Sequence, residues 1–397
     1  MQKSHAEVLI IGAGIIGLTL ARELVERGCD NIVLIEKEGH IGAHASGRNS
    51  GVLHAGIYYE PGTAKARSCL QGNRMMKEYC RSRGIEVLEN GKVIVTRTPE
   101  ELPVLDDLYR RAATGSAEIR FIGQDELARM EPSAVTVEKA LYSAETAVVD
   151  PKKVLTALQK DLEATGKVTI EFGTLFHRVV GNTIAKTSFG DISFDRIVNA
   201  AGAHSDRVAH RMDAGTRYVF IPFKGIYRKL KTEDACPVNG SIYPVPDIRN
   251  PFLGVHFTKS VYGEVYLGPT AIPAFGREHY GLFRGVDGEA PRILFEDAMM
   301  FFANPKFRRI ALEEPRKYIP WFFWKDARKL VRQLPMKHVT ASDKAGIRAQ
   351  LVDWESKQLV MDFLVEKDGN ATHVLNAISP AFTSSMAFAK VLADEYM

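Results

Sequence analysis

Residues 8–11 form a short apolar run, with polar residues before it and Gly12 after it. A run of that length, bounded by turn chemistry, predicts a buried strand. Apolar positions then recur at helical spacing from residue 15 to 27, Gly28 stops the pattern, and residues 32–35 form a second apolar run. Strand, helix and strand of these lengths predict a βαβ unit with parallel strands. Residues 39–62 lose apolar periodicity and are rich in Gly, Ser, His and Asn. They predict a long loop of the kind compact domains keep for function. Alternating helices and strands follow to about Lys139, then a helix over residues 151–164 and the short strands KVTIEF and TIAKTS. FDRIVNAAGAHSDRVA reads as strand, glycine turn and helix. Residues 220–273 are strand-rich and aromatic, residues 289–334 largely helical, and the chain returns to strands before a closing helix, PAFTSSMAFAKVLADEY.

A chain of 397 residues exceeds one simple core and predicts two packed domains. The pattern divides them as 1–80, 146–215 and 341–397 for a nucleotide-binding domain, and 81–145 and 216–340 for a substrate domain. The fold class is α/β, α+β overall: a Rossmann-type domain interleaved with an antiparallel-sheet domain. A net charge of +4 argues against a dedicated nucleic-acid binder but admits an acidic substrate. Four scattered cysteines without a C-x-x-C pair imply neither a metal site nor a redox disulfide, and fit a reducing compartment. The strand so near residue 1 leaves no room for a cleavable presequence. The uncharged stretch 8–21 is too short to span a bilayer, so a cytoplasmic protein is expected.

The glycines of the first turn spell Gly12-Ala13-Gly14-Ile15-Ile16-Gly17. Gly12 permits the tight turn, Gly14 lets backbone approach a pyrophosphate, and Gly17 lets the helix pack on the sheet. The helix N-terminus adds free N–H groups and partial positive charge. Glu36 ends the second strand, 24 residues after Gly12, placed to accept hydrogen bonds from ribose hydroxyls; Lys37 follows it. Three features favour FAD over NAD. A second Gly/Ser-rich loop, ASGRNSG at 45–51, follows soon after Glu36. The strand VNAAGA at 198–203 ends in small residues suited to run beneath an adenosine diphosphate. The last helix begins after Ser379-Pro380, with Thr383 and Ser384 as capping candidates, and its end suits the negative edge of a reduced flavin. The cofactor candidates are therefore Gly12, Gly14, Ile15, Ile16, Gly17, Glu36, Lys37, Ser46, Asn49, Ser50, Gly51, Phe176, Ala201, Gly202, Arg348, Pro380, Ala381, Thr383 and Ser384.

GAGIIG, Glu36, HASGRNSGVLHAGIYY, VNAAG and SPAFTSS together resemble the D-amino-acid-oxidase-like superfamily of FAD enzymes. Within it the chain is similar to the L-2-hydroxyglutarate oxidase/dehydrogenase group, through NSGVLHAGIYY at 49–59, IPFKG at 221–225, YPVPD at 243–247, FLGVHFT at 252–258, GP at 268–269 and GIRAQ at 346–350. These strings span nearly the whole chain. Two features depart from the group: Lys224 stands where arginine is the usual residue, and residues 281–339 have little counterpart. The resemblance implies oxidation of an L-2-hydroxy dicarboxylate, with electrons passed on to a quinone or oxygen. Glycerol-3-phosphate or amino-acid oxidation on the same scaffold is the nearby alternative, and a flavin-binding protein without turnover the more distant one.

Such a reaction needs a base, cationic carboxylate binding and shelter from water. His54 follows the loop expected against the flavin and matches the position taken as catalytic in related hydroxy-acid and glycerophosphate oxidases. His256 is the second imidazole candidate. Arg348 suits bidentate carboxylate binding. Lys224, Tyr58, Tyr59 and Tyr243 complete the substrate candidates. Residues 306–334 mix many Lys and Arg with Trp321, Phe322, Phe323 and Trp324. They read as a helical lid over the substrate sheet, with peripheral contact to an anionic membrane face as the alternative.

Overall fold

The opening strand (Ser4–Ile11) lies at the centre of an eight-stranded sheet, and it is flanked by parallel strands on both sides. Ile32–Ile35 pairs with it on one edge and Gly190–Asn199 on the other; Val168–Glu171 and Ala371–Asn376 extend the parallel core outward. Parallel strands covered on both faces need near-continuous apolar runs, and Ile32–Ile35 is buried at every position. The computed structural model describes residues 4–231, 236–247, 252–282 and 284–397. The helix Ile15–Glu26 returns along the sheet and buries Ile15, Ile16, Gly17, Leu18, Leu20 and Leu24. Gly12 makes the turn between strand and helix at φ +105°, where a Cβ would come within 2.6 Å of the Ala200 carbonyl oxygen. No amino acid but glycine tolerates both that dihedral and that approach.

The last helix (Ala381–Glu395) packs between Ile15–Glu26 and Ala64–Ser82, so the chain's end completes the core begun by its start. Gly72 allows the approach: a Cβ there would lie 2.4 Å from the Thr383 carbonyl oxygen. The Thr19 hydroxyl donates to the Ser385 carbonyl at 3.2 Å.

The second sheet has ten strands. Its pairings are antiparallel except one, between Lys92–Val95 and Ser241–Pro244, which run parallel. The expected all-antiparallel sheet is thus mixed at that seam. Its spine is the long pair Tyr218–Leu230 and Val339–Asp353. The boundary expected at 341 therefore falls inside a strand of the second sheet. Residues 339–353 belong with their partner in the second sheet, and the chain re-enters the first sheet at Leu364–Asp368. The segment read as a helical lid forms the helices Ala290–Ala303, Pro305–Glu313 and Pro320–Ala327. Met300, Phe307 and Ile310 seal one face of the sheet against Phe223 and Phe252. Phe323 is fully buried and the Trp324 indole donates to the Leu334 carbonyl at 2.6 Å, whereas Trp321 is exposed. The two layers are pinned by Arg277, which pairs with Asp206 (2.5 Å) and Glu289 (2.9 Å) at 3% side-chain exposure.

Candidate active site

The carboxyl ends of the parallel strands converge at the glycine turn, where open α/β sheets bind ligands. Ala13 N–H donates to Glu36 Oε2 at 3.1 Å and Glu38 N–H to Glu36 Oε1 at 3.0 Å, so both carboxylate oxygens are held at the turn. Ile15 N–H donates to Ser46 Oγ at 2.9 Å, which brings the second glycine-rich loop onto the helix N-terminus. Gly14 at the N-cap presents no side chain. Ile16 and Gly17 are buried in the first turn. Ala201 and Gly202 follow the neighbouring strand, shaped by Asn199, whose Oδ1 accepts from Ala201 N–H at 3.2 Å. This cradle of open backbone, acid and helix end fits the adenosine diphosphate half of FAD.

Phe176 and Lys37 lie elsewhere. The Phe176 ring packs in an apolar cluster with Leu9, Ile11 and Phe194 on the sheet's other face. The Lys37 ammonium bonds Glu278 (2.7 Å), His44 Nε2 (2.9 Å) and Glu38. Glu38, His44 and Glu278 stand close enough to share a cation, and Lys37 supplies that charge. His204, then Lys37, hold the Glu278 carboxyl far below the usual range. The Tyr280 hydroxyl meets His44 Nδ1 at 2.8 Å, and Arg48 lies 4.0 Å over the Tyr280 ring, so this network ties the two domains together.

The loop after Ser46 is self-bonded. Asn49 donates to the Ser46 carbonyl (2.7 Å) and accepts from Gly51 N–H (2.8 Å), while Ser50 Oγ accepts from Val52 N–H at 3.4 Å. Thr383 and Ser384 were expected as helix caps. They instead sit fully buried in the first turn behind Pro380 and Ala381, and no side chain caps that helix. Thr383 Oγ1 accepts from His54 N–H and donates to the Val52 carbonyl, each at 3.2 Å. It therefore stitches the last helix to the loop, a role the capping signal did not suggest.

Beyond that stitch lies a buried polar cluster. His54 is partly exposed, but its Nδ1 is buried with no hydrogen-bond partner among the described residues. Burial first, then the charges of Lys92, His256 and Arg348, push the imidazole well below its ordinary value. It is therefore neutral at pH 7 and able to take a proton. His256 stacks on Tyr243 with ring centroids 3.8 Å apart, and its Nδ1 meets the Gly254 carbonyl at 2.8 Å. That bond puts the ring proton on Nδ1 and leaves Nε2 as an acceptor; burial lowers this imidazole to about 4. Arg348 lies 5.0 Å over the Phe252 ring. Burial lowers it, and Tyr59 and Tyr227 are its electrostatic neighbours. The Tyr58 hydroxyl, like His54 Nδ1, is buried without a partner, and burial raises Tyr58 and Tyr59 well above the usual phenol range.

Five of the substrate candidates thus gather round His54: Tyr58, Tyr59, Tyr243, His256 and Arg348. Lys224 does not join them. Strand pairing sets Phe223 opposite Arg348 and Lys224 opposite Ile347, so Lys224 and Arg348 project from opposite faces of the sheet. The Lys224 ammonium donates to the Gly281 carbonyl at 2.6 Å, in a cleft with Arg48, Tyr280, Tyr318 and Lys344.

Two lysines in the cluster gave no sequence signal. Lys92 is 1% exposed, and its Nζ lies 4.7 Å from the Tyr58 ring centre and 5.0 Å from that of Tyr243. Lys65 is 5% exposed and donates to the Met361 carbonyl. Burial lowers each amine to about 7.

Comparison with known proteins agrees with this geometry. A family model described as FAD dependent oxidoreductase (DAO) matches residues 7–395. L-2-hydroxyglutarate dehydrogenase of human mitochondria is 35% identical, over 99% of this chain and 89% of that protein. The L-2-hydroxyglutarate dehydrogenase of Indibacter alkaliphilus is 34% identical, over 98% of each. Among solved structures, the FAD-bound L-α-glycerophosphate oxidase of Mycoplasma pneumoniae superposes with a TM-score of 0.77 at 21% identity, covering 99% of this chain and 96% of that one. Glycine oxidase of Geobacillus kaustophilus gives 0.71 at 17%, covering 99% and 94%; both likenesses concern the fold. No helix among the described residues is long and apolar enough to cross a membrane. The turn, the acid and the buried cluster are those of a flavin enzyme, and the chain belongs to the DAO family of FAD-dependent oxidoreductases.

Proposed function

We propose that the protein oxidises an L-2-hydroxy dicarboxylate, L-2-hydroxyglutarate, to the 2-oxo acid. The observation that carries this reading is a neutral imidazole whose Nδ1 has no partner among the described residues, beside Lys92 and Arg348, on which no carboxylate acts among those residues, in a chain whose similar relatives bear that substrate's name. FAD, when bound, accepts the two electrons and the hydrogen that leave the carbinol carbon. The turn at Gly12 and Gly14 and the N-terminus of Ile15–Glu26 hold its diphosphate, and Glu36 its ribose. The 46–51 loop and the first turn after Pro380 border the ring.

Arg348 holds the carboxylate beside the carbinol carbon, in the bidentate geometry a guanidinium favours. His54 accepts the hydroxyl proton. Burial and then neighbouring cations keep its pKa low; the arriving negative charge offsets the cations, so the imidazole becomes a better base once substrate is seated. Tyr58 and Tyr59, protonated at all ordinary pH, donate to carboxylate oxygens. His256 accepts through Nε2. Aromatic rings on several sides exclude water.

The electron acceptor is a quinone or oxygen. The helical segment 290–327 exposes Phe295, Phe302, Leu312, Ile319 and Trp321, in a stretch of sequence rich in Lys and Arg, which suits peripheral contact of a cytoplasmic protein with an anionic membrane face. Anaerobic bleaching of the flavin by a substrate panel tests the reading. L-2-hydroxyglutarate should bleach it fastest; bleaching by glycerol 3-phosphate or an amino acid in its place would overturn the assignment. If none of the three bleaches it, the chain binds flavin without turnover.

A further inference from the structure

The cluster carries positive charge that its own residues do not balance. Lys92 opens the strand Lys92–Val95, opposite Ser143, and its side chain is enclosed. Its Nζ has no hydrogen-bond partner among the described residues. Tyr58, Tyr243, His54, His256 and Cys69 are the titratable groups that face it, and none is a carboxylate. Lys65, by contrast, has Asp362 nearby and donates to the Met361 carbonyl. Tyrosine faces attract an ammonium but do not replace the water or anion it loses on burial. A methionine would fill the same volume at less cost. The retained amine therefore points to a ligand.

One anion-binding group, Arg348, already serves the carboxylate beside the reacting carbon under the proposed function, on which this inference rests. We propose that Lys92 binds the substrate's second carboxylate and so sets the preference for dicarboxylates over monocarboxylates. Tyr58 and Tyr243 flank the ammonium and leave its remaining donors directed to the ligand. Because burial holds the free amine at about 7, seating the second carboxylate draws a proton onto it in mildly alkaline solution.

The test is binding of glutarate and butyrate to the FAD-loaded enzyme, read from the flavin spectrum; both lack a hydroxyl, so neither turns over. Wild type should favour glutarate. Lys92→Met should weaken glutarate by about 30-fold or more and butyrate by less than about 3-fold, with Lys92→Arg restoring part of the difference. Equal weakening of both ligands, or of neither, would overturn the assignment and make Lys92 a structural amine. Should Lys92→Met fail to fold, calorimetry of the wild type at pH 8 in buffers of different ionisation enthalpy decides. Glutarate should take up close to one proton per site more than butyrate does, and equal uptake would refute the idea. The two readings fail differently. A wild type that ignores glutarate and is not bleached by L-2-hydroxyglutarate sinks the proposed function. A wild type that prefers glutarate, with Lys92→Met keeping that preference, sinks only the role of Lys92.

Discussion

Replacing His54 with glutamine removes a proton acceptor while leaving the local backbone tied in place. The His54 N–H is held by Thr383, and its carbonyl accepts from Asn73 at 3.2 Å and from the Cys69 thiol at 3.4 Å. None of these bonds involves the imidazole, and Nδ1 has no partner to lose among the described residues. The substitution therefore acts on chemistry rather than folding. General-base catalysis contributes about 10²–10⁴-fold, or about 2.7–5.4 kcal/mol of barrier. Anaerobic stopped-flow reduction with L-2-hydroxyglutarate should slow by that factor, with glutarate affinity changed little. The pH profile supplies a second readout. The free imidazole lies well below 6.5, so the acid limb of kcat/KM should fall below that pH in wild type and vanish in His54→Gln. A loss smaller than about tenfold, or a retained acid limb, would refute the assignment.

Gly12→Ala forces a Cβ to 2.6 Å from the Ala200 carbonyl oxygen at φ +105°; the purified variant should be colourless, and normal FAD content would contradict the cradle. Arg277→Met strips the partner from Asp206, which is 1% exposed, and should cost about 3–5 kcal/mol in urea unfolding; a loss under 1 kcal/mol would show that the pin contributes little. Lys65 and Lys92 sit at about 7 folded against 10.5 unfolded. The folded state thus binds fewer protons between those values, so stability of the ligand-free protein should rise with pH from 7 to 9 and be lost again as pH falls toward 7, by roughly 1 kcal/mol per pH unit for each group. A flat or falling urea midpoint over that range would exclude such buried amines.

Much of the nucleotide end was legible because its constraints are local. Gly12, Gly14, Gly17 and Glu36 act within one βαβ unit, and periodicity places each on its element. The substrate end depends on pairings between distant segments. Lys224 and Arg348 were both read as substrate contacts, but the register of their strands, 124 residues apart, puts them on opposite faces, and a period-2 pattern cannot fix parity between two separate strands. The boundary at 341 failed for the same reason: residues 339–353 are polar enough to suggest a return to the first domain, yet pair along nearly their whole length with 218–230. Lys92 in NGKVIV reads as the solvated flank of an apolar strand. Tyr58 and Tyr243, from far-apart segments, fold over it. Thr383 and Ser384 carried a genuine helix-start signal, but both are buried and the Thr383 hydroxyl is consumed by the backbone of Val52 and His54.

The central claim is a flavin enzyme whose buried cations bind a hydroxy dicarboxylate and whose neutral imidazole takes its hydroxyl proton, the flavin being the oxidant. It is met most directly by the visible spectrum of the purified protein before and after anaerobic L-2-hydroxyglutarate. A yellow protein that bleaches with this substrate, with one equivalent of 2-oxoglutarate formed per flavin and no response to the D-enantiomer, is the result predicted. A yellow protein that stays oxidised with L-2-hydroxyglutarate yet bleaches with glycerol 3-phosphate would contradict it.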